Sequence, residues 1–338
     1  MLVFYKKIPL NTDNKNIPYA NLDPNVILNA IESAGFHCSG SLFALNSYEN
    51  RVYQVGIEDA SPLIAKFYRP HRWTDAAILE EHQFAHELLT LEIPVVAPIP
   101  GANQHTLHHF QEFRFAVFPR CGGHALELDR LDQLEWMGRF LGRLHAVGAC
   151  QTFQHRLPLN VQTHGYSSYH FLIENNFIPN EINQSYCTVV TRLLTEIENQ
   201  FNAIDHINYI RLHGDCHAGN VLWKDTGPHI VDLDDCLMGP AVQDIWMLLS
   251  GNSHQMEIEI ECILRGYTEF HDFNRSELRL IEALRALRML QYSAWLANRW
   301  EDPAFLSGFP WFNTINYWRE HLHDLNEQLN LLQGYEDN

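Results

Sequence analysis

Residues 212–220 read Leu212-His213-Gly214-Asp215-Cys216-His217-Ala218-Gly219-Asn220, and twelve residues beyond Asn220 the chain continues Asp232-Leu233-Asp234-Asp235. One aspartate therefore stands five residues before an asparagine, and a second lies beyond a short apolar segment. Phosphoryl transfer uses these residue types, because one carboxylate accepts the proton of the attacking hydroxyl while an amide and another carboxylate hold metal against the nucleotide phosphates. The spacing predicts Asp215 as the base and Asn220 and Asp232 as metal ligands.

The segment between these residues has the pattern of a β-hairpin. Two apolar runs, 221–223 and 229–231, flank Lys224-Asp225-Thr226-Gly227-Pro228, which has the composition of a turn. With the turn centred on Thr226, Asn220 and Asp232 face each other across the antiparallel pair, with their Cα atoms about 5 Å apart. Oxygen ligands of this kind favour Mg²⁺ or Mn²⁺ over zinc.

The aspartate cluster admits other interpretations. On a strand Asp232 and Asp234 would share one face, where two carboxylates 4 Å apart repel by about 4 kcal/mol and a divalent ion would relieve the repulsion. The cluster could instead form an ordinary solvated capping turn. A zinc site is disfavoured because no second unit of closely spaced ligands follows the candidate set of His213, Cys216, His217 and Cys236. We expect His213 to bond to nearby backbone and Cys216 to pack in the interior.

The first third of the chain predicts a nucleotide site. Three successive strands are indicated by the apolar runs 42–45, 52–57 and 63–68. Lys66 lies in the third, and a lysine in an apolar strand needs an anionic partner such as the α- and β-phosphates of a nucleotide. The alternative is an edge-strand lysine whose amine reaches solvent.

A helix is predicted to follow, with Thr74 as its cap and Asp75 as its first residue. Its apolar stripe consists of Ile78, Phe84, Ala85, Leu88 and Leu89. At 3.6 residues per turn Glu81 lies in the centre of that stripe, whereas Glu80 points to one side. We therefore predict an ion pair between Lys66 and Glu81. A rotated helix that leaves Glu81 at the domain edge is the alternative.

Glycine-rich phosphate loops are absent from the sequence: no G-x-G-x-x-G precedes Lys66, and no G-x₄-G-K-[ST] occurs. The turn after the first strand reads Asn46-Ser47-Tyr48-Glu49-Asn50-Arg51. Ser47 and neighbouring amides are the candidate phosphate donors there, although Ser47 also fits an ordinary turn serine.

These segments together resemble the bacterial stress response kinase A family, a group of Ser/Thr protein kinases within the aminoglycoside phosphotransferase and choline kinase-like superfamily. The resemblance runs from about residue 40 to 245 and rests on the ordered segments 45–54, 66–70, 80–85, 141–145, 212–220, 231–235 and 239–244. It implies Asp215 as base, Asn220 and Asp232 as Mg²⁺ ligands, and Ser47 and Lys66 in ATP binding. It also implies that Asp244 braces the catalytic loop, a role compatible with a carboxylate at a helix N-terminus.

The resemblance implies a protein kinase-like α+β fold, with a small antiparallel sheet in the N-lobe and a mainly helical C-lobe. We expect a flexible segment at 1–20, an N-lobe at 21–118 and a C-lobe at 119–338. The strand at 113–118 should lead into an interlobe hinge at Pro119-Arg120-Cys121-Gly122-Gly123. The C-lobe should be helical apart from the hairpin at 221–231, with His145 packed beside a core helix. The aromatic stretch 305–318 is expected to cover the core; the alternative is that it covers an acceptor groove.

The acceptor is left open by the residues. Only residues 233–243 separate Asp232 from Asp244, which leaves little room for a peptide-docking activation segment. The resemblance favours a protein Ser/Thr kinase acting in stress response; the alternative is a small-molecule hydroxyl kinase of the aminoglycoside, choline or homoserine type.

Composition sets the outer limits. The net charge is −18, from 23 basic and 41 acidic residues, which argues against a nucleic-acid partner and favours basic or neutral substrates. Seven scattered cysteines fit reduced thiols in the cytoplasm. No apolar stretch is long enough to span a membrane, and the start is too short for a signal peptide. We expect a monomer that uses ATP and Mg²⁺.

Overall fold

The computed structural model describes residues 17–334. Most of the expected flexible segment at 1–20 therefore lies outside the described residues. At its end, residues 17–20 form a turn in which the Tyr19 hydroxyl donates a hydrogen bond to the carbonyl oxygen of Phe67, at 3.1 Å.

One half of the molecule is built on a five-stranded antiparallel sheet with the order β1-β2-β3-β5-β4. Its strands are β1 (Cys38–Ala44), β2 (Arg51–Ile57), β3 (Leu63–Phe67), β4 (His108–Phe110) and β5 (Phe113–Pro119). The three consecutive strands predicted from the apolar runs are confirmed, and β1 begins four residues earlier than its apolar run. The expected lobe boundary at residue 118 falls at the end of β5 and stays a prediction.

The described helices number ten, and most of them lie in the second half of the chain. They are α1 (Pro24–Ser33), α2 (Asp75–Thr90), α3 (Leu131–Gly148), α4 (Ser167–Glu174), α5 (Asn180–Asn202), α6 (Val242–Trp246), α7 (Ser253–Tyr267), α8 (Ile281–Asn298), α9 (Pro303–Gly308) and α10 (Ile315–Leu332). Short 3₁₀ or π turns cover Val161–Tyr166, Ala218–Asn220, Leu233–Asp235 and Arg275–Leu280. The bilobal α+β architecture predicted from the sequence is confirmed.

The second half contains more strand than the single hairpin predicted. The hairpin strands β8 (Val221–Lys224) and β9 (Gly227–Ile230) are joined by β6 (His124–Ala125), and β7 (Ile210–Leu212) pairs with β10 (Leu237–Gly239). The expectation was wrong on this point because three-residue strands are too short to show an alternating apolar pattern. The β7–β10 pair brings the segment before Asp215 beside the segment after Asp232.

The helix α3 packs in the core of the C-lobe. Its predicted apolar residues Leu134, Met137, Leu141 and Leu144 are all fully buried. It packs closely against α7, where a Cβ atom at Gly138 would lie 1.9 Å from the carbonyl oxygen of Ile263. The helices can approach this closely only with glycine in the contact, so a larger residue there would force the two helices apart.

Two further structural facts bear on the sequence-based expectations. None of the helices within residues 17–334 combines the length and the apolar character needed to cross a bilayer. All seven cysteines lie in the described part of the chain and all are free thiols.

Candidate active site

The loop after β7 carries Asp215 and is held by one buried carboxylate. The Asp244 side chain is fully buried at the start of α6, and its Oδ2 and Oδ1 accept hydrogen bonds from the backbone amides of His213 and Gly214, each at 2.8 Å. His145 contacts the same carboxylate through Nε2, at 3.1 Å. The bracing contact expected of Asp244 is present, and His145 is packed as predicted.

Gly214 shows why this loop is tight. Its φ is +85°, and a Cβ atom there would lie 2.3 Å from the carbonyl oxygen of Asp235. Only glycine accepts both conditions without strain. The close approach places the backbone of the Asp215 loop against the backbone that follows Asp232.

The hairpin brings Asn220 and Asp232 to one end, but with a register different from the prediction. Val221 pairs with Ile230 and Lys224 with Gly227, so the turn is Asp225-Thr226, and the amide of Val231 donates to the carbonyl oxygen of Asn220 at 3.0 Å. Asn220 therefore lies opposite Val231, and the predicted pairing with Asp232 was wrong by one residue. Gly227, with φ +103°, permits the shorter turn.

Asp232 leaves the ladder in a left-handed conformation, with φ 61° and ψ 63°. The residues after it form a 3₁₀ turn, so Asp232 and Asp234 do not alternate along a strand as predicted. Aspartate tolerates this conformation better than most residues, and such strain concentrates at functional sites. The Asp232 carboxylate is about half exposed, at 52%, and its Oδ1 lies 2.8 Å from Nζ of Lys66.

Lys66 is almost fully buried at the centre of a charge cluster. Its Nζ lies 2.8 Å from Asp232 Oδ1, 3.1 Å from Asp234 Oδ1 and 3.6 Å from Glu81 Oε1. Burial lowers the pKa of Lys66, but the charges of Asp232 and Asp234 outweigh it and raise the pKa well above its ordinary value. The predicted ion pair with Glu81 is present, and Lys66 is therefore a fixed cation.

The helix α2 positions Glu81 as the sequence indicated. Thr74 caps the helix by accepting a hydrogen bond from the amide of Ala77, and α2 begins at Asp75. The predicted apolar stripe was wrong at Leu89, whose side chain is half exposed, while the other four members are buried. Glu81 is 3% exposed and faces the sheet.

Two arginines of the cluster were missed from the sequence. Arg156 is buried and lies 3.2 Å from Glu81 Oε2, and it donates to the carbonyl oxygen of Asp234 at 2.7 Å. Arg72 pairs with the carboxylates of Asp234 and Asp235. The repulsion predicted within the aspartate cluster is therefore relieved by protein cations. No local pattern marks these arginines, because their partners are distant in sequence.

The cations of the cluster act on the pKa of the buried Asp234 carboxylate. Burial raises its pKa, but Lys66, Arg72 and Arg156 together outweigh that effect, so the pKa of Asp234 ends below its ordinary range. Asn50 adds a hydrogen bond from Nδ2 to Asp234 Oδ2 at 3.1 Å. Asp234 thus ties the loop after β1 to the segment that follows Asp232.

The loop between β1 and β2 is anchored through Glu49. Its carboxylate lies 3.1 Å from Arg69 Nε and 2.6 Å from Arg299 Nε, and it accepts a hydrogen bond from Trp295 Nε1 at 2.5 Å. Burial raises the pKa of Glu49, but Arg72 and Arg299 outweigh it and the pKa is lowered overall. Because Trp295 and Arg299 lie at the end of α8 and just beyond it, this loop is attached to the other half of the molecule.

Aromatic packing reinforces the same attachment. The Tyr48 ring lies 4.7 Å from the ring of Phe309 and 6.2 Å from that of Phe305, between ring centroids. The expectation of a core role holds for Phe305, Phe312 and Trp318, all buried, but not for Trp311, which is 43% exposed. The Ser47 hydroxyl donates to the carbonyl oxygen of Asn50 at 3.0 Å, so its part in phosphate binding stays a prediction.

The Asp215 carboxylate lies between the side chains of Arg288 and His217. Its Oδ1 lies 2.7 Å from Nη1 of Arg288, and its Oδ2 lies 3.5 Å from Nε2 of His217. Burial raises the pKa of Asp215, but the contacts with His217 and Arg288 outweigh it, so the pKa is below its ordinary range. The carboxylate is therefore ionised and able to accept a hydrogen bond at neutral pH.

The donor set near Asp215 suits a hard cation. Asn220 donates through Nδ2 to the carbonyl oxygen of Asp215 at 2.9 Å, which leaves its Oδ1 as a free acceptor within the described residues. With the exposed carboxylate of Asp232, this gives two oxygen ligands of the type that Mg²⁺ prefers. Within residues 17–334, no group of three or more His, Cys, Asp or Glu side chains is arranged to hold a metal, so further ligands would be nucleotide oxygens and water.

The contacts of His213 and the burial of the two cysteines argue against the alternative of a zinc site. Both ring nitrogens of His213 are used, with Nε2 3.0 Å from the carbonyl oxygen of Val231 and Nδ1 3.2 Å from the amide of Asp215. Cys216 and Cys236 are fully buried, and burial raises the pKa of each thiol. Neutral buried thiols are poor metal ligands, so His213 and Cys216 have the structural roles predicted for them.

The chain is similar to known phosphotransferases and kinases. Residues 43–281 match the model of the "Phosphotransferase enzyme family". Stress response kinase A of Escherichia coli K12 is 42% identical over 321 residues, covering 95% of this chain and 97% of the relative. A serine/threonine protein kinase of Salmonella typhimurium named RdoA is 41% identical over 314 residues, covering 93% and 94% of the two chains.

Solved structures share the fold at low sequence identity. An amicoumacin kinase in complex with AMP-PNP, Ca²⁺ and Ami superposes with a TM-score of 0.71 at 17% identity, covering 90% of this chain and 94% of that one. A microcompartment-associated aminopropanol kinase superposes with a TM-score of 0.69 at 17% identity, covering 93% and 97%. At this identity the likeness concerns the fold alone.

Proposed function

Because this chain belongs to the phosphotransferase enzyme family, we propose that it transfers the γ-phosphate of ATP to a hydroxyl group of Ser or Thr in a protein during bacterial stress response. The observation that carries the proposal is the placement of Asp215, Asn220 and Asp232 around one hairpin end, with the Lys66 cation 2.8 Å from Asp232. The acceptor class rests on the names of the relatives, which are 41–42% identical over most of the chain.

The proposed reaction follows from these side chains. Asp215 accepts the hydrogen bond and then the proton of the acceptor hydroxyl, whose oxygen forms a bond to the γ-phosphorus while the bond to the β,γ-bridging oxygen breaks and ADP leaves. Lys66, fixed by Glu81, balances charge on the nucleotide phosphates. Asn220 and Asp232 would hold Mg²⁺, which when bound neutralises charge on the β- and γ-phosphates.

A small-molecule alcohol is the second candidate acceptor. The observation that favours it is the compact segment between Asp232 and Asp244, where a 3₁₀ turn at Leu233–Asp235 and the strand β10 occupy most of the eleven residues. This segment offers no extended platform for a peptide of the kind that an activation segment provides.

The test is transfer of label from γ-labelled ATP to a mixed basic protein and to a panel of small alcohols. Asp215→Asn keeps the shape of the side chain but removes the proton acceptor, so we expect kcat to fall by about 10²- to 10⁴-fold while ATP affinity is kept. Asp225→Asn, in the exposed turn of the same hairpin, is the matched control. Equal transfer by the Asp215→Asn variant and the unaltered enzyme would refute the proposal, and label in alcohols alone would select the second candidate.

A further inference from the structure

Arg288 on α8 is placed differently from the other arginines of the site. Its Nη1 lies 2.7 Å from Oδ1 of Asp215, and its side chain is 41% exposed. Among ion pairs within residues 17–334, Asp215 is the only carboxylate it contacts. The one partner of this cation is thus the group proposed to receive the acceptor's proton.

The buried arginines of the site are occupied by several structural partners. Arg72 contacts Asp234, Asp235 and Glu49, with a side chain only 13% exposed. Arg156 is fully buried and is shared between Glu81 and three backbone carbonyl groups. Arg288, by contrast, makes one ion pair within residues 17–334, and since a guanidinium carries five N–H donors, several remain for a ligand.

We propose, on the basis of the function proposed above, that Arg288 is a specificity residue that binds an anionic group of the acceptor beside the hydroxyl to be phosphorylated. When an acceptor hydroxyl shares Asp215, Arg288 loses part of its only ionic contact and can pair with a carboxylate of the incoming molecule. Arginine suits this role because its planar fork binds carboxylate or phosphate through two parallel hydrogen bonds.

The distances fix where the anion must lie. The hydroxyl approaches Asp215 to about 3 Å, and a carboxylate approaches Arg288 to about the same distance, so the two acceptor groups are roughly 4–7 Å apart. In a peptide this separation corresponds to an Asp or Glu within a residue or two of the Ser or Thr. The ring of Tyr292, one turn further along α8, is 41% exposed and offers an apolar surface for the acceptor backbone.

The charge of Arg288 is opposite in sign to the net charge of the chain. A chain with a net charge of −18 should favour basic or neutral substrates. A single cation beside the reacting carboxylate acts at a few ångströms, however, where it outweighs surface charges that solvent screens over about 8–10 Å. The enzyme is therefore expected to select acidic acceptors locally despite its acidic surface.

The experiment compares three peptides that differ only in the residues flanking one central Ser: Asp, Asn or Arg. The pair of 3-hydroxypropionate and its amide provides the same comparison for a small acceptor. We expect kcat/KM of the unaltered enzyme to be at least tenfold higher for the Asp peptide than for the Arg peptide. Arg288→Gln should reduce that ratio to near one, and Arg288→Glu should invert it. Arg285→Gln, one turn earlier on α8 and paired with Glu282, is the matched control and should keep the preference.

The outcomes separate the two proposals. Transfer that shows no preference for acidic acceptors, or a preference unchanged by Arg288→Glu, overturns the role of Arg288 and leaves the proposed function standing. Transfer to the hydroxy acid but to no peptide supports the role of Arg288 while refuting a protein acceptor. If ATP is still hydrolysed but none of the acceptors is phosphorylated, both proposals are overturned.

Discussion

The two loops that meet at this site are held by different kinds of contact, one through its backbone and the other through its side chains. The loop around Asp215 is fixed by hydrogen bonds from its backbone to one buried carboxylate, Asp244, which lies in the same half of the molecule. The loop between β1 and β2 is fixed by its own side chains, because Tyr48 and Glu49 reach residues at α8 and α9. The first loop is preformed within one lobe, whereas the position of the second depends on how the two lobes sit together.

This difference assigns separate functions to the two loops. Backbone bonds to a buried carboxylate hold a base within a few tenths of an ångström, which proton transfer requires. Side-chain contacts between lobes can be broken and remade when nucleotide enters or leaves. We therefore expect changes near Asp244 to affect stability and kcat, and changes near Glu49 to affect mainly KM for ATP.

The largest effect is expected for Asp244→Ala. The change leaves the amides of His213 and Gly214 buried without acceptors, at about 1–3 kcal/mol for each, so the free energy of unfolding should fall by roughly 4 kcal/mol. Urea denaturation measures that loss, and transfer of labelled phosphate should fall with it. Asp225→Ala is the control, because its side chain lies in the exposed turn. A loss below about 1 kcal/mol would show that the loop is held by other contacts.

The second largest effect is a pH dependence of the free energy of unfolding, caused by a carboxyl group next to α6, the helix that carries Asp244. Glu277 is buried, and its Oε2 accepts a hydrogen bond from the amide of Val242, at the start of α6. Burial raises the pKa of Glu277 to about 7, although the bonds from the amides of Val242 and Ala241 lower it in part. Glu277 is therefore protonated in the folded protein at pH values where an unfolded chain has already lost that proton.

The stability that Glu277 contributes decreases as the pH rises. Between the unfolded pKa, near 4.5, and about 7 the folded protein binds more protons, so the stability contributed by Glu277 is complete below pH 4.5 and is lost as the pH rises to 7. The loss amounts to about 3 kcal/mol from a shift of this size. Glu277→Gln should remove that slope when the free energy of unfolding is measured from pH 4.5 to 7.5 and subtracted from that of the unaltered protein. Parallel curves for the two proteins would contradict the assignment.

The two loops also differ in how well the sequence predicts them. The ion pair between Lys66 and Glu81 was predictable because a strand and a helix each leave one charged residue in an apolar face. The contact of Asp244 followed from the resemblance to a known family. The register of the hairpin was not predictable, since it depends on a two-residue turn made possible by the positive φ of Gly227.

The missed residues share one property, which is the distance of their partners along the chain. Glu49 meets Trp295 across 246 residues, and Arg156 meets Glu81 across 75. Periodicity reports only which face of an element is buried, so it carries no information about contacts between elements this far apart. Arg288 was missed for the same reason, because nothing in the helix around it marks the approach of Asp215.

A smaller effect is expected for Glu49→Gln, which tests the second loop. Glutamine can still accept from Trp295 but no longer pairs with Arg69 and Arg299, so the loop should lose order before nucleotide binds. We expect KM for ATP to rise about tenfold, equivalent to about 1.4 kcal/mol, with kcat changed less than twofold. Glu58→Gln, in the exposed turn after β2, is the control. A fall in kcat with KM unchanged would break the division between the two loops.

The smallest effect is expected for Ser47→Ala. In the described structure the Ser47 hydroxyl donates to the carbonyl oxygen of Asn50, and a phosphate oxygen would have to replace that acceptor. Exchange of one acceptor for another yields little net free energy, about 0.7 kcal/mol, so KM for ATP should rise only about threefold. Ser61→Ala in the turn before β3 is the control, and isothermal titration with AMP-PNP measures the change in affinity directly. An unchanged affinity would mean that Ser47 only closes its turn, and the loop would then act on nucleotide through the anchors Tyr48, Glu49 and Asn50 alone.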